Sequence, residues 1–68
     1  MKVLRDSPVA ATWDADGGLG VLVATKAMHA CMAKAETTGI GMLAVTNGRH
    51  FGAAGYYARP AAERDMIG

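Results

Sequence analysis

Residues 40–46 read IGMLAVT, an apolar run that contains no charged side chain. Gly39 precedes the run, and Asn47 and Gly48 follow it, so residues that favour turns mark both of its ends. A short apolar run without polar alternation is typical of a strand covered on both faces, as in a parallel sheet flanked by helices. We therefore predict a buried strand over residues 40–46.

The segment before this strand, from Leu19 to Gly39, has the periodicity of an amphipathic helix. Its apolar residues recur at intervals of three and four, which places them on one helical face. We expect Asp16 to cap the helix at its start, Lys34 to suit the negative end of the helix dipole, and Gly39 to end the helix in the left-handed conformation. The apolar positions are Leu19, Leu22, Val23, Ala27, Ala30, Cys31 and Ala35.

A second strand is expected before the helix. Residues 9–13, VAATW, include β-branched and aromatic residues, and residues 14–18, DADGG, are strong turn signals, so this strand ends near Trp13. Residues 1–8 form a lead-in strand or strap ahead of it. A strand, a helix and a second strand in this order predict a βαβ crossover between parallel strands.

Residues 53–66 favour a second helix through their Ala, Arg, Glu and Met residues, but Pro60 lies inside the segment. A proline within a helix removes one backbone hydrogen bond and clashes with the preceding turn, at a cost of about 3 kcal/mol. We expect the helix to kink or to stop near Arg59. The predicted fold class is α/β: a βαβα fragment of a larger fold, forming a single partial domain over residues 1–68.

Composition excludes several classes of protein. A chain of 68 residues with one cysteine, Cys31, has no internal disulfide, and its two histidines and one cysteine are too scattered for a zinc pattern. The net charge is +1 and the basic residues are dispersed, which argues against a nucleic-acid partner. No apolar run approaches the roughly 20 residues that cross a bilayer, and the first residues do not resemble a signal peptide. We expect a cytoplasmic protein whose stability depends on contacts with another chain.

Residues 16–20, DGGLG, lie between a predicted strand and a predicted helix and are partly similar to a dinucleotide-binding motif. Gly18 and Gly20 match its first two glycines, but Val23 stands at the third, and nearby aspartates would repel a pyrophosphate. We favour a turn that enters the helix, with a small nucleotide-binding module as the alternative.

His50 is the main candidate for chemistry. It follows the predicted strand at its carboxyl end, where open α/β sheets bind their ligands. An imidazole can accept and return a proton near neutral pH, and Gly48 and Gly52 allow a ligand to approach the backbone. On the residues alone, a hydrogen-bonded loop histidine is the favoured interpretation.

The neighbours of His50 have two interpretations each. Arg49 could bind a carboxylate, although a solvated arginine is favoured, and Asn47 either shapes the turn or orients the imidazole or a ligand. Tyr56 and Tyr57 are packing residues, and which of them would face a pocket is left open. His29 is interpreted as an exposed or satisfied helical histidine.

Residues 50–57, HFGAAGYY, are similar to a segment of the malate/L-lactate dehydrogenase type-2 family, as are residues 14–20, DADGGLG, and the step from residues 38–41, TGIG, into residues 45–48, VTNG. The resemblance implies an NAD- or NADP-dependent oxidoreductase with a non-Rossmann fold. Members interconvert small 2-hydroxy acids and 2-keto acids and form homodimers.

The resemblance also implies roles for residues. His50 would be the proton acceptor, taking the hydroxyl proton as hydride leaves the substrate carbon for the nicotinamide. From the residue types alone, and not from the resemblance, Asn47, Gly48, Arg49 and Gly52 are candidates to position substrate or cofactor. Family members are several times longer, so we expect an internal fragment whose partners are the rest of the parent polypeptide and a small 2-hydroxy or 2-keto acid, and which is inactive alone.

The alternative class is a non-catalytic small α/β module that binds a partner through apolar surface.

Overall fold

The computed structural model describes residues 2–50 and 52–68, so Met1 of the lead-in segment and Phe51 of the His50 loop lie outside the described residues. Within these two ranges the structure has three strands and two helices, which confirms the α/β class. In chain order these elements are β1 (Lys2–Asp6), β2 (Ala10–Asp14), α1 (Gly20–Thr38), β3 (Met42–Thr46) and α2 (Ala54–Ala62).

The strands form one sheet in the order β1-β2-β3. β2 and β3 pair in parallel, with Ala10 opposite Met42 and Asp14 opposite Thr46. α1 lies between these two strands in the chain, so β2, α1 and β3 form the predicted crossover. β1 lies in the lead-in segment and pairs antiparallel with β2. The observed order is therefore ββαβα, one strand more than the predicted βαβα.

The prediction that residues 40–46 are buried on both faces is wrong. The strand spans Met42–Thr46, and all of its residues are exposed except Leu43, which is half-buried. β3 forms an edge of the sheet, and α1 is the helix that packs against it. An apolar run indicates that its side chains favour burial. It does not indicate whether other elements are present to cover them.

Small side chains make up most of the core. Met32 is the largest fully buried side chain among the described residues, whereas Met42 is 61% exposed. Met28 is half-buried. The buried apolar residues are Ala11, Ala15, Val23, Ala27, Met32, Tyr57 and Ala61.

The start of α1 differs from the prediction. The residue before the helix is Leu19, and no side chain caps it, so the assignment of Asp16 as the cap is wrong. Asp16 instead lies in the turn after β2, with φ 54°, and its backbone N–H donates to Asp14 Oδ1 at 2.8 Å. The helix can begin only after this turn is complete.

The far end of α1 is as predicted at Gly39, which has φ 92° and donates its N–H to the Ala35 carbonyl at 2.8 Å. Lys34 has a different role from the one expected, because it lies before the last turn of the helix. Its Nζ donates to Asp6 Oδ1 and, at 2.6 Å, to the Ser7 carbonyl. Lys34 therefore joins α1 to the β1–β2 hairpin.

Pro60 does not stop α2 at Arg59. The helix continues to Ala62, so the predicted early stop is wrong. The proline removes a single backbone donor, and the Glu63 N–H still reaches the Arg59 carbonyl at 2.9 Å. The helix therefore ends at Ala62, between the predicted stop near Arg59 and the end of the helix-favouring segment at Met66.

Candidate functional site

The candidate site lies at the carboxyl ends of β2 and β3. Backbone hydrogen bonds continue past the last strand residues: the Ala15 N–H donates to the Thr46 carbonyl at 2.9 Å, and the Gly17 N–H donates to the Asn47 carbonyl at 3.0 Å. The turn after β2 and the turn after β3 are thereby joined. The loop that carries His50 starts from this junction.

The carboxylate of Asp14 connects the same two turns through side-chain contacts. Its Oδ1 accepts from Asn47 Nδ2 at 3.1 Å and from the Asp16 backbone N–H at 2.8 Å. The hydrogen bond from Asn47, and after it that from Asp16, lowers the pKa of Asp14 below its ordinary value. Asp14 is therefore an ionised acceptor at neutral pH.

Asn47 has φ 55°, in the left-handed region, and its side chain is held by Asp14. Of the two roles left open for Asn47, this geometry supports the one that shapes the turn. Sequence reasoning missed the partner, Asp14, although an acidic residue and an amide residue at the ends of adjacent parallel strands are a usable signal.

His50 lies four residues beyond the end of β3, and it is exposed. Arg49 and Gly48 are exposed beside it, and both border a cavity of about 400 Å³ between α1, β3 and α2. Apart from Arg49, the cavity is lined by glycine, apolar and aromatic residues and by Cys31. Of the predicted site residues, Gly48 and Arg49 border the cavity, whereas Asn47, His50 and Gly52 do not line it.

Tyr57 is the tyrosine that lines this cavity, which answers the question left open by the sequence. It is only 7% exposed, whereas Tyr56 is 67% exposed, and the two rings meet edge to face with centroids 5.2 Å apart. Gly52 has φ 84°, and a Cβ placed on it would lie 4.0 Å from the Tyr57 hydroxyl. Gly52 therefore supplies the left-handed turn that leads the loop towards α2.

Cys31 and His29 both lie on α1. Cys31 is half-buried and lines the cavity, and burial raises the pKa of its thiol despite the opposing charge of Lys34. His29 is exposed, as expected. Within residues 2–50 and 52–68, no group of three or more histidine, cysteine or acidic side chains is arranged to hold a metal ion.

The turn that leads into α1 is a poor site for a dinucleotide. Asp14 and Asp16 flank the turn that leads into α1, and their negative charge disfavours a pyrophosphate there. The exposed His50 follows a turn that is fixed by the hydrogen bonds of Asp14, Ala15 and Gly17. Neither helix of the described ranges is long and apolar enough to cross a membrane.

Comparisons with known proteins agree on one family. The family model for malate/L-lactate dehydrogenase matches residues 1–68. The malate dehydrogenase of Pyrococcus abyssi is 50% identical over 68 residues, which are 100% of this chain and 19% of that protein. The L-sulfolactate dehydrogenase of Methanocaldococcus jannaschii is 46% identical over 68 residues, again 100% of this chain and 20% of the relative.

A solved structure shows the same fold. The malate dehydrogenase from Pyrococcus horikoshii OT3 superposes with a TM-score of 0.90 and 44% identity, over 93% of this chain and 18% of that chain. The chain thus spans about a fifth of the length of the relatives it matches. By sequence over its whole length and by fold, the chain belongs to the malate/L-lactate dehydrogenase family.

Proposed function

We propose that this chain is the segment of an NAD- or NADP-dependent oxidoreductase that carries the proton-accepting histidine, His50. The complete enzyme interconverts small 2-hydroxy acids and 2-keto acids. Family membership supports the reaction class, and malate and sulfolactate, after which two relatives are named, are both 2-hydroxy acids. The observation that carries the assignment is an exposed imidazole on a loop at the carboxyl end of a parallel strand.

His50 accepts the proton of the substrate hydroxyl during oxidation and returns it to the carbonyl oxygen during reduction. The nicotinamide cofactor, when bound, supplies hydride transfer, and we assign its binding to the rest of the polypeptide. Arg49 is exposed beside His50, and its guanidinium pairs with the substrate carboxylate. Gly48, Asn47 and Gly52 act by shaping the loop.

Chemistry requires contacts that this chain does not contain. Positioning and electrostatic stabilisation contribute several kcal/mol each to enzymatic rates, about 7 kcal/mol or more for orientation alone. The 68 residues by themselves should therefore give no turnover. The partners proposed for the complete enzyme are the rest of the polypeptide and a second copy in a homodimer, and its location is the cytoplasm, in keeping with the free thiol of Cys31.

A chimera tests this proposal. The 68 residues replace the matching segment of the Pyrococcus abyssi malate dehydrogenase, whose identity of 50% over the full chain favours correct folding. We expect the chimera, and not the isolated chain, to oxidise NADH or NADPH in the presence of small 2-keto acids. Turnover by the isolated chain would contradict the proposal, and so would a chimera that folds but is inactive.

One observation favours the alternative of a non-catalytic interaction module. Large apolar side chains are exposed on several elements, among them Leu22 at 65% and Val3 at 60%. Such surface would suit a partner protein as well as the rest of an enzyme. Size-exclusion chromatography and thermal melting of the isolated chain separate the two: a monomer that melts cooperatively supports the module, and aggregation or a non-cooperative melt supports the enzyme segment.

A further inference from the structure

We propose that Asp14 is a positioning residue for His50: its carboxylate holds Asn47 in the left-handed conformation from which the His50 loop departs. This inference rests on the proposed role of His50. Asp14 touches no reacting atom in this account and acts only through the loop.

The first step of the argument is the contact pattern of Asp14. One oxygen, Oδ1, accepts a hydrogen bond from each of the two turns, at 2.8 Å from the Asp16 backbone N–H and at 3.1 Å from Asn47 Nδ2. The donors lie in different segments, because Asn47 is 33 residues from Asp14 in the chain. A single carboxylate thus fixes the turn after β2 and the turn after β3 relative to each other.

The second step concerns the backbone at Asn47. A non-glycine residue at φ 55° is held in a conformation that side chains other than those of Asn and Asp rarely adopt. Backbone hydrogen bonds from Ala15 to the Thr46 carbonyl and from Gly17 to the Asn47 carbonyl restrain the main chain at this residue. The hydrogen bond from the Asn47 side chain to Asp14 adds a restraint on the side chain.

The third step is the short path from Asn47 to His50. Only Gly48 and Arg49 intervene, and a Cβ placed on Gly48 would lie 3.8 Å from Val45 Cγ1 and 4.0 Å from Ala15 Cβ. The loop therefore stays close to the strand end as far as Gly48. Because the backbone has only two soft dihedral angles per residue, the direction set at Asn47 limits where the imidazole can go.

The test is a double-mutant cycle in the chimera described above. Asp14→Ala removes the acceptor, and we expect kcat to fall about tenfold or more while KM stays within about twofold, since a misplaced catalytic group slows chemistry. Asp14→Asn retains a side-chain oxygen that can accept both hydrogen bonds, so its kcat should stay within about threefold of the parent. In a His50→Ala background, Asp14→Ala should change the remaining rate by less than about twofold.

Two further variants complete the test, the first as a control and the second as a change to the partner of Asp14. Asp6→Ala removes an exposed carboxylate that pairs with Lys34 and lies at the opposite end of the sheet, and it should leave kcat unchanged. Asn47→Gly allows positive φ without strain but lacks the side chain that Asp14 holds, so it should reproduce the loss of kcat even where Asp14→Ala fails to fold.

The outcomes separate this inference from the function on which it rests. If His50→Ala leaves the rate of the chimera unchanged, the proposed function is wrong. If His50 is essential but Asp14→Ala lowers the rate by the same factor with and without His50, the positioning role of Asp14 is overturned. Full activity of both Asp14→Ala and Asn47→Gly would overturn it as well.

Discussion

Gly41 precedes β3 at a point where the chain passes too close to α1 for any side chain. A Cβ on Gly41 would overlap the Cys31 carbonyl oxygen and lie 3.3 Å from the Ala35 nitrogen. Backbone atoms cannot move aside as the end of a side chain can, so Gly41→Ala should destabilise the chimera by about 1–3 kcal/mol. Chemical denaturation measures this loss.

Gly55 provides the matched control for Gly41. It lies in α2, and a Cβ there would meet nothing within 4 Å. Gly55→Ala should leave stability unchanged or raise it by about 0.5–1 kcal/mol, because alanine has the higher helix propensity. Equal effects of the two substitutions would contradict the close approach at Gly41.

The ionisation of Asp14 makes the junction of the two strand ends sensitive to acid. Its pKa is lowered in the folded chain from the ordinary value of 3.8, first by the hydrogen bond from Asn47 and then by that from Asp16. A lowered pKa contributes stability that is present above the ordinary value and is lost as pH falls through the folded value. The melting temperature of the chimera should therefore fall below about pH 4, and Asp14→Asn should reduce this acid dependence. Identical pH profiles of the two proteins would contradict the contact.

The residue types predicted where His50 lies, but not which residues fix the turn that leads to it. A histidine after an apolar strand is visible in the sequence, and the structure places it on an exposed loop beyond β3. The bond between Asp14 and Asn47 spans 33 residues, and which of the neighbouring carboxylates, Asp14 or Asp16, reaches Asn47 depends on the strand register.

α2 contains a residue that weakens it. Pro60 lies inside this helix of nine residues and supplies no N–H for the ladder. Pro60→Ala should stabilise the chimera by about 1–3 kcal/mol. The gain should not exceed the cost of about 3 kcal/mol for a proline in a helix interior, because Pro60 is near the helix end and also restricts the unfolded chain. Thermal melting measures the change in stability. A lower melting temperature for Pro60→Ala would contradict this prediction, and it would show that packing of the half-buried proline ring contributes more stability than the missing helix hydrogen bond costs.

The elements themselves could be predicted to different extents. The helical character of α1 and the left-handed Gly39 are local properties, and both were readable from the sequence. The predicted apolar face of α1 was only partly correct, because Leu19 and Leu22 are exposed. The burial of β3 was not, because it depends on what covers the strand. Lys34 was also misinterpreted, since its partner Asp6 is 28 residues away and lies on another element.

At the scale of the molecule, the described core is small and much apolar surface is exposed. Buried side chains are mainly alanines, whereas Leu22, Met42 and Val3 are each at least 60% exposed. The chain spans about a fifth of the relatives' length. Under the proposed function, the rest of the enzyme covers this apolar surface.

Replacement of His50 tests the central claim most directly, with His29 as the matched control because it is an exposed histidine on α1. In the chimera, His50→Ala should lower kcat by about 10²- to 10⁴-fold, the usual contribution of a positioned general base, whereas His29→Ala should leave it unchanged. A His50→Ala chimera with a rate within about twofold of its parent would contradict the account, since such a base contributes at least about 10²-fold.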